Sequence, residues 1–254
     1  SASHNPPDHN GKKVYDEFGG QLIPPEDEEL VIEVTEQVRE IKEIAYDEAI
    51  SKGLITGIGS IVDEVYIKAS TSVSLSNERD LKIVYTPLHG CGMTSVYKAL
   101  KKLEFKISED PKTSNPSGKF ENITFNIPNP EVVQSFDTTL KFAEEEWADI
   151  ILNSDPDADR IGIMVKHDGG WIFVNGNEIS SILAQYVVQK KKGGFNGNET
   201  MIKTTVTTNL IKKICEKNDI KLIGELLIGF KYIADTMNTL EKDGNIGGFL
   251  LGCE

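Results

Sequence analysis

The sequence predicts an α/β protein whose sheets are largely parallel. Along the 254 residues, apolar strand-like runs alternate with helix-like segments. Such β-α-β alternation implies right-handed crossovers around a parallel core. The length gives a prior of about two domains, and a hydrophobic content of 39% is enough for two or more small cores.

The first third of the chain predicts one amphipathic helix followed by a linker. Pro24 and Pro25, followed by acidic residues, are typical of a helix start. Apolar residues then recur at helical spacing, and Gly53 is expected to end the helix. These apolar residues are Leu30, Val34, Val38, Ile41, Ala45 and Ala49. We expect this helix to pack against a core. The stretch 51–60 is expected to form a loop, and the polar stretch 70–80 a linker between domains.

A second unit of alternating elements follows the linker. Strands are predicted at 81–85, 122–127 and 149–153, and helices at 95–103 and 137–148. Two apolar runs, 161–167 and 171–174, flank Asp168-Gly169-Gly170, which predicts a hairpin. Gly90-Cys91-Gly92 before a helix could cradle a phosphate, but a tight turn is the favoured interpretation because a lone G-x-G pattern is weak evidence.

A third unit has a similar element order. A helix is predicted from Gly176 to Lys192, and its terminal lysine run is explained by the helix dipole. The strands that follow are predicted at 200–205, 221–226 and 248–251, and the helices at 209–217 and 230–240. This order again predicts a parallel arrangement.

The acidic segment after the strand at 149–153 is the strongest chemical signal. Asp155, Asp157 and Asp159 alternate directly after an apolar run, and Arg160 follows them. A strand that ends in such a loop delivers its side chains at the carboxyl edge of a sheet, where open α/β folds bind ligands. Oxygen ligands at this spacing suit Mg²⁺, and a guanidinium suits phosphate. The three aspartates are therefore the predicted metal ligands.

Two other interpretations of this acidic segment are weaker. An EF-hand calcium loop also begins D-x-D-x-D, but its sixth position should be glycine and is Arg160, and its twelfth should be glutamate and is Lys166. A solvated acidic turn does not explain three mutually repelling carboxylates without a cation.

A second constellation lies at the start of the chain. Ser3 and His4 are followed by Lys12 and Lys13. Alone, this Ser/Asn/Pro-rich segment is typical of a loop. Beside a metal loop, it supplies a hydroxyl that can carry phosphate, an imidazole and two ammonium groups. The two constellations together indicate phosphoryl transfer.

Charge and cysteine content restrict the partners and the compartment. The net charge of −13 excludes nucleic-acid binding by a bulk positive field. The sequence contains no apolar run of the roughly 18 residues that a membrane span needs, so no membrane partner is predicted. Cys91, Cys215 and Cys253 are scattered and odd in number, which is typical of reduced thiols in a cytoplasmic protein.

Four motifs, in order along the chain, resemble those of the α-D-phosphohexomutases, the phosphoglucomutase and phosphomannomutase superfamily. Segment 1–6 is similar to the phosphoserine loop of this family, and segment 155–160 to its magnesium loop. Gly229-Phe230-Lys231 resembles the G-F-K segment near the sugar, and Gly252-Cys253-Glu254 the start of the G-x-E-E-S sugar-recognition loop. The following segments are also similar to the phosphoglucomutase branch: 85–90 and 126–131.

The resemblance implies successive three-layer α/β/α domains with mixed, largely parallel sheets. Residues 1–75 would be the C-terminal part of the phosphoserine-bearing domain I, 76–175 the metal-loop domain II, and 176–254 a truncated sugar-recognition domain III. Family members are longer and end in a fourth domain with an R-x-S-G-T loop. None of the three arginines, Arg39, Arg79 and Arg160, begins such a loop. We therefore expect an internal fragment that is incomplete at both ends and lacks domain IV.

The resemblance also implies an activity, the interconversion of hexose 1-phosphate and hexose 6-phosphate. Ser3 would carry the phosphoryl group, a hexose 1,6-bisphosphate would be the intermediate and activator, and Mg²⁺ would be held by Ser3, Asp155, Asp157 and Asp159. Glucose is the favoured sugar, although Ile228 stands where relatives often have threonine, which leaves the sugar open. The fragment alone is expected to be inactive.

The remaining site residues are also assigned through the resemblance. Arg160 would stabilise charge on the transferred group, and His4, Lys13 and Lys231 are candidates for proton transfer. The sugar would contact Gly229, Phe230, Lys231 and Glu254. Because the chain is acidic, Mg²⁺ and local cations must attract the sugar phosphate. The alternatives are a mannose- or pentose-phosphate mutase and a noncatalytic sugar-phosphate binding protein. No oligomeric state is predicted.

Overall fold

The computed structural model describes residues 3–191 and 194–254, which form two separate β-sheets with helices on both faces. Ser1 and Ala2 of the predicted serine segment, and the predicted helix end at Lys192, lie outside the described residues. No helix in the described ranges is long and apolar enough to cross a membrane.

The N-terminal region contains three helices, of which the first two lie where one long helix ending at Gly53 was predicted. They are α1 (Glu26–Ile32), which continues as a π-helical turn (Glu33–Gln37), α2 (Tyr46–Ser51) and α3 (Gly59–Ser72). The prediction of a single core-packing helix up to Gly53 is wrong. Val38 adopts an extended conformation that ends the first helix, and Ile41 is 83% exposed. Helical spacing stabilises a helix mainly when another element covers its apolar face, and here only Ala49 of the predicted apolar face is buried.

The first sheet has five strands in the order β2-β1-β3-β4-β5. The strands are β1 (Lys82–Thr86), β2 (Lys106–Glu109), β3 (Ile150–Ser154), β4 (Ile161–His167) and β5 (Gly170–Val174). β1 lies parallel to both β2 and β3, whereas β4 is antiparallel to β3 and β5. The predicted hairpin is thus the antiparallel edge of a mixed sheet.

The predicted strand at 122–127 is wrong, and β2 takes the edge position. Residues Thr124–Asn126 form a 3₁₀ turn in which Phe125 has a positive φ of 64°. The Asn126 amide donates to the carbonyl oxygens of Lys119 and Phe120, each at 3.0 Å. Such local side-chain bonds offer the backbone an alternative to a strand ladder.

Two helices cover opposite faces of this sheet. They are α4 (Lys98–Lys102), which follows a π-helical turn (Met93–Tyr97), and α5 (Asp137–Glu145). Val84 packs in the cluster that contains Ala143 of α5, while its neighbours Ile83 and Tyr85 pack with Leu100 of α4. Because successive strand residues point to opposite faces, the three-layer arrangement is confirmed.

The second sheet is fully parallel, with the order β7-β6-β8. Its elements are α6 (Gly176–Lys190), β6 (Thr200–Thr204), α7 (Leu210–Lys217), β7 (Lys221–Leu226), α8 (Phe230–Lys242) and β8 (Phe249–Cys253). Met201 packs against α6 and α7, whereas Ile202 packs against α8 on the other face. The predicted α/β fold class is confirmed for both units.

Candidate phosphoryl-transfer site

The acidic loop leaves the centre of the first sheet at the carboxyl end of β3. Asp155 is completely buried, while the side chains of Asp157 and Asp159 are 24% and 46% exposed. The loop turns back through Ala158, whose amide donates to the Asp155 carbonyl at 2.9 Å. One carboxylate oxygen from each aspartate lies within 4.8 Å of the others. The alternating sequence therefore folds into one compact group of three carboxylates.

The N-terminal segment lies directly over this group. The Ser3 hydroxyl is hydrogen-bonded to Asp155 Oδ2 and lies 2.7 Å from Asp157 Oδ1. Lys13 Nζ donates to Asp157 Oδ2 and to Asp159 Oδ2, each at 2.7 Å. Residues about 150 positions apart in the sequence thus meet, and the structure brings together the serine and the aspartates that the sequence analysis had grouped.

The environments of Asp155 and Asp157 differ. Burial raises the pKa of Asp155. Two hydrogen bonds oppose this rise: one from the Ser3 hydroxyl, and one from the Arg160 backbone N–H, which donates to Asp155 Oδ1 at 2.9 Å. Burial also tends to raise the pKa of Asp157, but its hydrogen bonds to Lys13 and Ser3 outweigh that effect and lower it. Asp155 is a buried carboxylate whose partners are a hydroxyl and an amide. A hard cation with oxygen ligands fits this donor set.

Lys13 is held as a cation beside the exposed part of the group. Burial lowers its pKa, but the hydrogen bonds from its ammonium to Asp157 and Asp159 raise the pKa above its ordinary value. The other predicted ammonium group, that of Lys12, is also exposed. Lys13 is therefore protonated when it contacts these carboxylates.

His4 is influenced by the charges of Arg160 and of the acidic loop. Burial and the nearby Arg160 guanidinium lower the pKa of His4, against the opposing effect of Asp159 and Asp157. Its Nδ1 is buried and has no hydrogen-bond partner among the described residues. Glu131, which the sequence analysis did not assign to the site, is close enough to influence the pKa of His4.

The residues predicted to contact a sugar form a second cluster. Gly229 precedes α8 with a φ of 125°, and its backbone N–H donates to Glu254 Oε2 at 2.5 Å. Lys231 Nζ pairs with Asp27 Oδ2 at 2.9 Å, and Phe230 is exposed. The sequence analysis missed Asp27, whose acidic character it used only as a helix-start signal.

Three family models match the chain, and they match it in order. They describe phosphoglucomutase/phosphomannomutase alpha/beta/alpha domain I at residues 1–41, domain II at 64–170 and domain III at 175–254. The chain belongs to the phosphoglucomutase/phosphomannomutase family. The predicted membership of the α-D-phosphohexomutase superfamily is confirmed.

Curated relatives extend well beyond the matched region. The chain is 32% identical over 248 residues to a phosphoglucomutase of Staphylococcus saprophyticus, covering 96% of this chain and 44% of the relative. It is 31% identical over 258 residues to one of Staphylococcus epidermidis, covering 100% of this chain and 46% of the relative. The chain thus spans slightly less than half the length of these relatives.

Solved structures share the fold. A putative phosphomannomutase from Thermus thermophilus has a TM-score of 0.75 and 22% identity, covering 100% of this chain and 52% of that one. A phosphoglucomutase/phosphomannomutase family protein from Burkholderia thailandensis has a TM-score of 0.67 and 18% identity, covering 96% and 47% respectively. At these identities the likeness shows the fold alone.

Proposed function

We propose that this chain carries the phosphoserine and metal part of a phosphohexomutase that interconverts glucose 1-phosphate and glucose 6-phosphate. The observation that carries the proposal is the contact of the Ser3 hydroxyl with Asp155 and Asp157. Within this family, the phosphoglucomutase relatives favour glucose as the sugar. The sugar phosphate is the proposed partner, and the scattered cysteines favour the cytoplasm.

The proposed reaction is in-line phosphoryl transfer at Ser3. The Ser3 oxygen attacks one phosphorus of hexose 1,6-bisphosphate, so that a P–O bond to serine forms while the P–O bond to the sugar breaks. The serine proton leaves to a base, and the released sugar oxygen takes up a proton. The bisphosphate itself forms when phosphorylated Ser3 transfers its phosphoryl group to the free 6-hydroxyl of hexose 1-phosphate. Ser3 then takes back the phosphoryl group from the 1-position, and hexose 6-phosphate is left as the product. Catalysis of such a step is mostly positioning and charge stabilisation.

The aspartates would hold Mg²⁺ together with Ser3. Asp155, Asp157 and Asp159 supply the oxygen ligands, and the ion would neutralise charge on the phosphoryl group. Arg160 stabilises charge on the transferred group from the same loop. His4, Lys13 and Lys231 stay candidates for the proton transfers, although the protonated state of Lys13 favours a role as an acid or a fixed charge.

The sugar would bind at the second cluster. Gly229 and Glu254 are joined by a hydrogen bond, and Phe230 and Lys231 begin α8 beside them. Glu254 is exposed and can accept hydrogen bonds from sugar hydroxyls. Lys231 supplies a positive charge that the acidic chain needs in order to attract an anionic substrate.

The test is incorporation of phosphate at Ser3. Because the chain alone is expected to react slowly, it is incubated with Mg²⁺ and an excess of glucose 1,6-bisphosphate until labelling no longer increases, and peptides are then analysed by mass spectrometry. We expect one phosphoryl group on Ser3, none at this position in Ser3→Ala, and slower labelling from mannose or pentose bisphosphates. A chain that binds Mg²⁺ and sugar phosphate but leaves Ser3 unmodified would contradict the proposal and favour a noncatalytic binding protein.

A further inference from the structure

The turn Gly90-Cys91-Gly92, which follows β1, lies against the backbone of the acidic loop. A Cβ atom at Gly90 would lie 2.2 Å from Pro156 Cα and 2.5 Å from the Pro156 carbonyl oxygen. The backbone N–H of Cys91 donates to that oxygen at 2.8 Å. The two backbones are therefore in direct contact, and only glycine fits at position 90.

Gly92, at the other end of the turn, packs against Tyr85 and against Ser154, the residue before Asp155. A Cβ at Gly92 would lie 1.9 Å from the Tyr85 hydroxyl oxygen and 2.8 Å from Ser154 Oγ. Tyr85 and Ser154 are themselves joined by a hydrogen bond of 2.6 Å between their hydroxyl oxygens. Both side chains are buried, so Gly92 occupies space that no side chain can enter without displacing them.

We infer that the turn at residues 90–92, together with Tyr85, is a positioning element for the metal centre. It contacts Ser154 and Pro156, which flank Asp155 on both sides, and so fixes the backbone from which this buried carboxylate projects. The inference rests on the proposed metal site. It also explains the G-x-G pattern without a bound phosphate, because the Cys91 N–H is already used by the Pro156 carbonyl.

The physical reason is the narrow geometry that Mg²⁺ accepts. This ion demands a nearly ideal octahedron, so a small displacement of one ligand weakens binding. Residues that orient metal ligands without touching the metal typically change affinity by about 10- to 100-fold when they are substituted. A turn that only stabilised the fold would change the unfolding temperature and leave the affinity of the folded protein unchanged.

The test compares Mg²⁺ affinity, by calorimetric titration, with thermal stability in metal-free buffer. Gly92→Ala should weaken Mg²⁺ binding by about 10- to 100-fold. Adding Tyr85→Phe removes the atom that the new methyl group meets first, so the double variant should regain affinity toward that of Tyr85→Phe alone and not beyond it. Gly118→Ala is the matched control, because a Cβ there meets nothing within 4 Å, and its affinity should equal that of the wild type.

Each outcome decides the inference. A Gly92→Ala variant that melts earlier but binds Mg²⁺ as tightly as the wild type would overturn it. If that variant does not fold, Tyr85→Phe alone removes the hydrogen bond to Ser154 without adding an atom, and an unchanged affinity would overturn the inference. If the wild-type chain binds no Mg²⁺, both the proposed metal centre and the positioning role are overturned. If the chain binds Mg²⁺ normally but Ser3 is not labelled, only the proposed reaction is overturned.

Discussion

Three aspartates that look equivalent in the sequence occupy different environments. Asp155 is buried and its pKa is raised by that burial, whereas Asp157 shares hydrogen bonds with Ser3 and Lys13 and has a lowered pKa. Asp159 is the most exposed of the three. Asp157 is thus the carboxylate that contacts both the candidate nucleophile and the ammonium group, which makes it the most informative residue to remove.

We predict that Asp157→Ala abolishes phosphoryl transfer and leaves the fold intact. A partly exposed loop residue adds little to folding, but loss of one metal ligand removes charge stabilisation from the transition state. The expected cost is about 3–4 kcal/mol, or about 100- to 1,000-fold in rate. The measurement is the initial rate of phosphate incorporation at Ser3, with circular dichroism as the check on folding.

The matched control for this variant is Asp80→Ala. The Asp80 side chain is fully exposed, and its nearest basic partner, Lys106, is 4.0 Å away. This variant should label Ser3 at the wild-type rate. Retention of the wild-type rate by Asp157→Ala would remove the acidic loop from the proposed mechanism.

At the scale of elements, prediction from the sequence succeeded where spacing and end signals agree. β7 has the predicted bounds 221–226, and α6 begins at the predicted Gly176, after a cap at Asn175. It failed for the N-terminal helix, because spacing alone does not show whether an apolar face will be covered. The edge strand β2 was missed because its four residues, Lys-Ile-Ser-Glu, carry little strand pattern.

Some residues of the candidate site could also be predicted from the sequence, and others could not. The three aspartates could be found because adjacent positions in one loop must lie together, and the family resemblance linked them to Ser3. The pair of Asp27 with Lys231 joins residues 204 positions apart. Nothing in local spacing encodes such a contact, so it could be found only from the folded chain.

We predict that the capping box of α6 contributes measurably to stability. The Asn175 side chain accepts from the backbone N–H groups of Asn177 and Glu178 at 3.0 and 3.1 Å, and Glu178 accepts from the Asn175 N–H at 2.9 Å. Asn175→Ala should lower the free energy of unfolding by about 1 kcal/mol. Urea denaturation measures the change.

Asn175→Asp serves as the control for the cap, since aspartate accepts the same two hydrogen bonds and carries a charge that suits a helix N-terminus. It should keep or slightly raise the stability. Equal losses from the alanine and aspartate variants would show that the hydrogen bonds of this cap do not stabilise α6.

At the scale of the whole molecule, the chain combines two well-packed α/β units with an N-terminal region that buries little. Between residues 26 and 75 only Ala49 and Ile67 are buried among the described residues. The contacts of this region with the two units include those of Ser3 and Lys13 with the acidic loop and the ion pair of Asp27 with Lys231. The predicted domain boundaries after residues 75 and 175 stay a prediction.

We predict that the 254-residue chain binds Mg²⁺ but shows negligible mutase turnover. The family resemblance implies that an R-x-S-G-T loop holds the second phosphate of the substrate, and none of the three arginines of this chain begins such a loop. Orientation supplies about 7–11 kcal/mol of such a barrier, so an unclamped substrate should react orders of magnitude more slowly. A coupled glucose 1-phosphate assay measures the rate, with the Staphylococcus saprophyticus phosphoglucomutase as the control. Comparable rates would show that other residues of this chain clamp that phosphate.

The central claim is that Ser3 and the three aspartates form a single metal centre for phosphoryl transfer. The most direct test is a crystal structure of the chain with Mn²⁺ replacing Mg²⁺, in which anomalous scattering locates the ion. The account predicts one anomalous peak within coordination distance of Asp155, Asp157 and Asp159 and beside the Ser3 oxygen. A map with Mn²⁺ bound elsewhere and no peak between these carboxylates would contradict it.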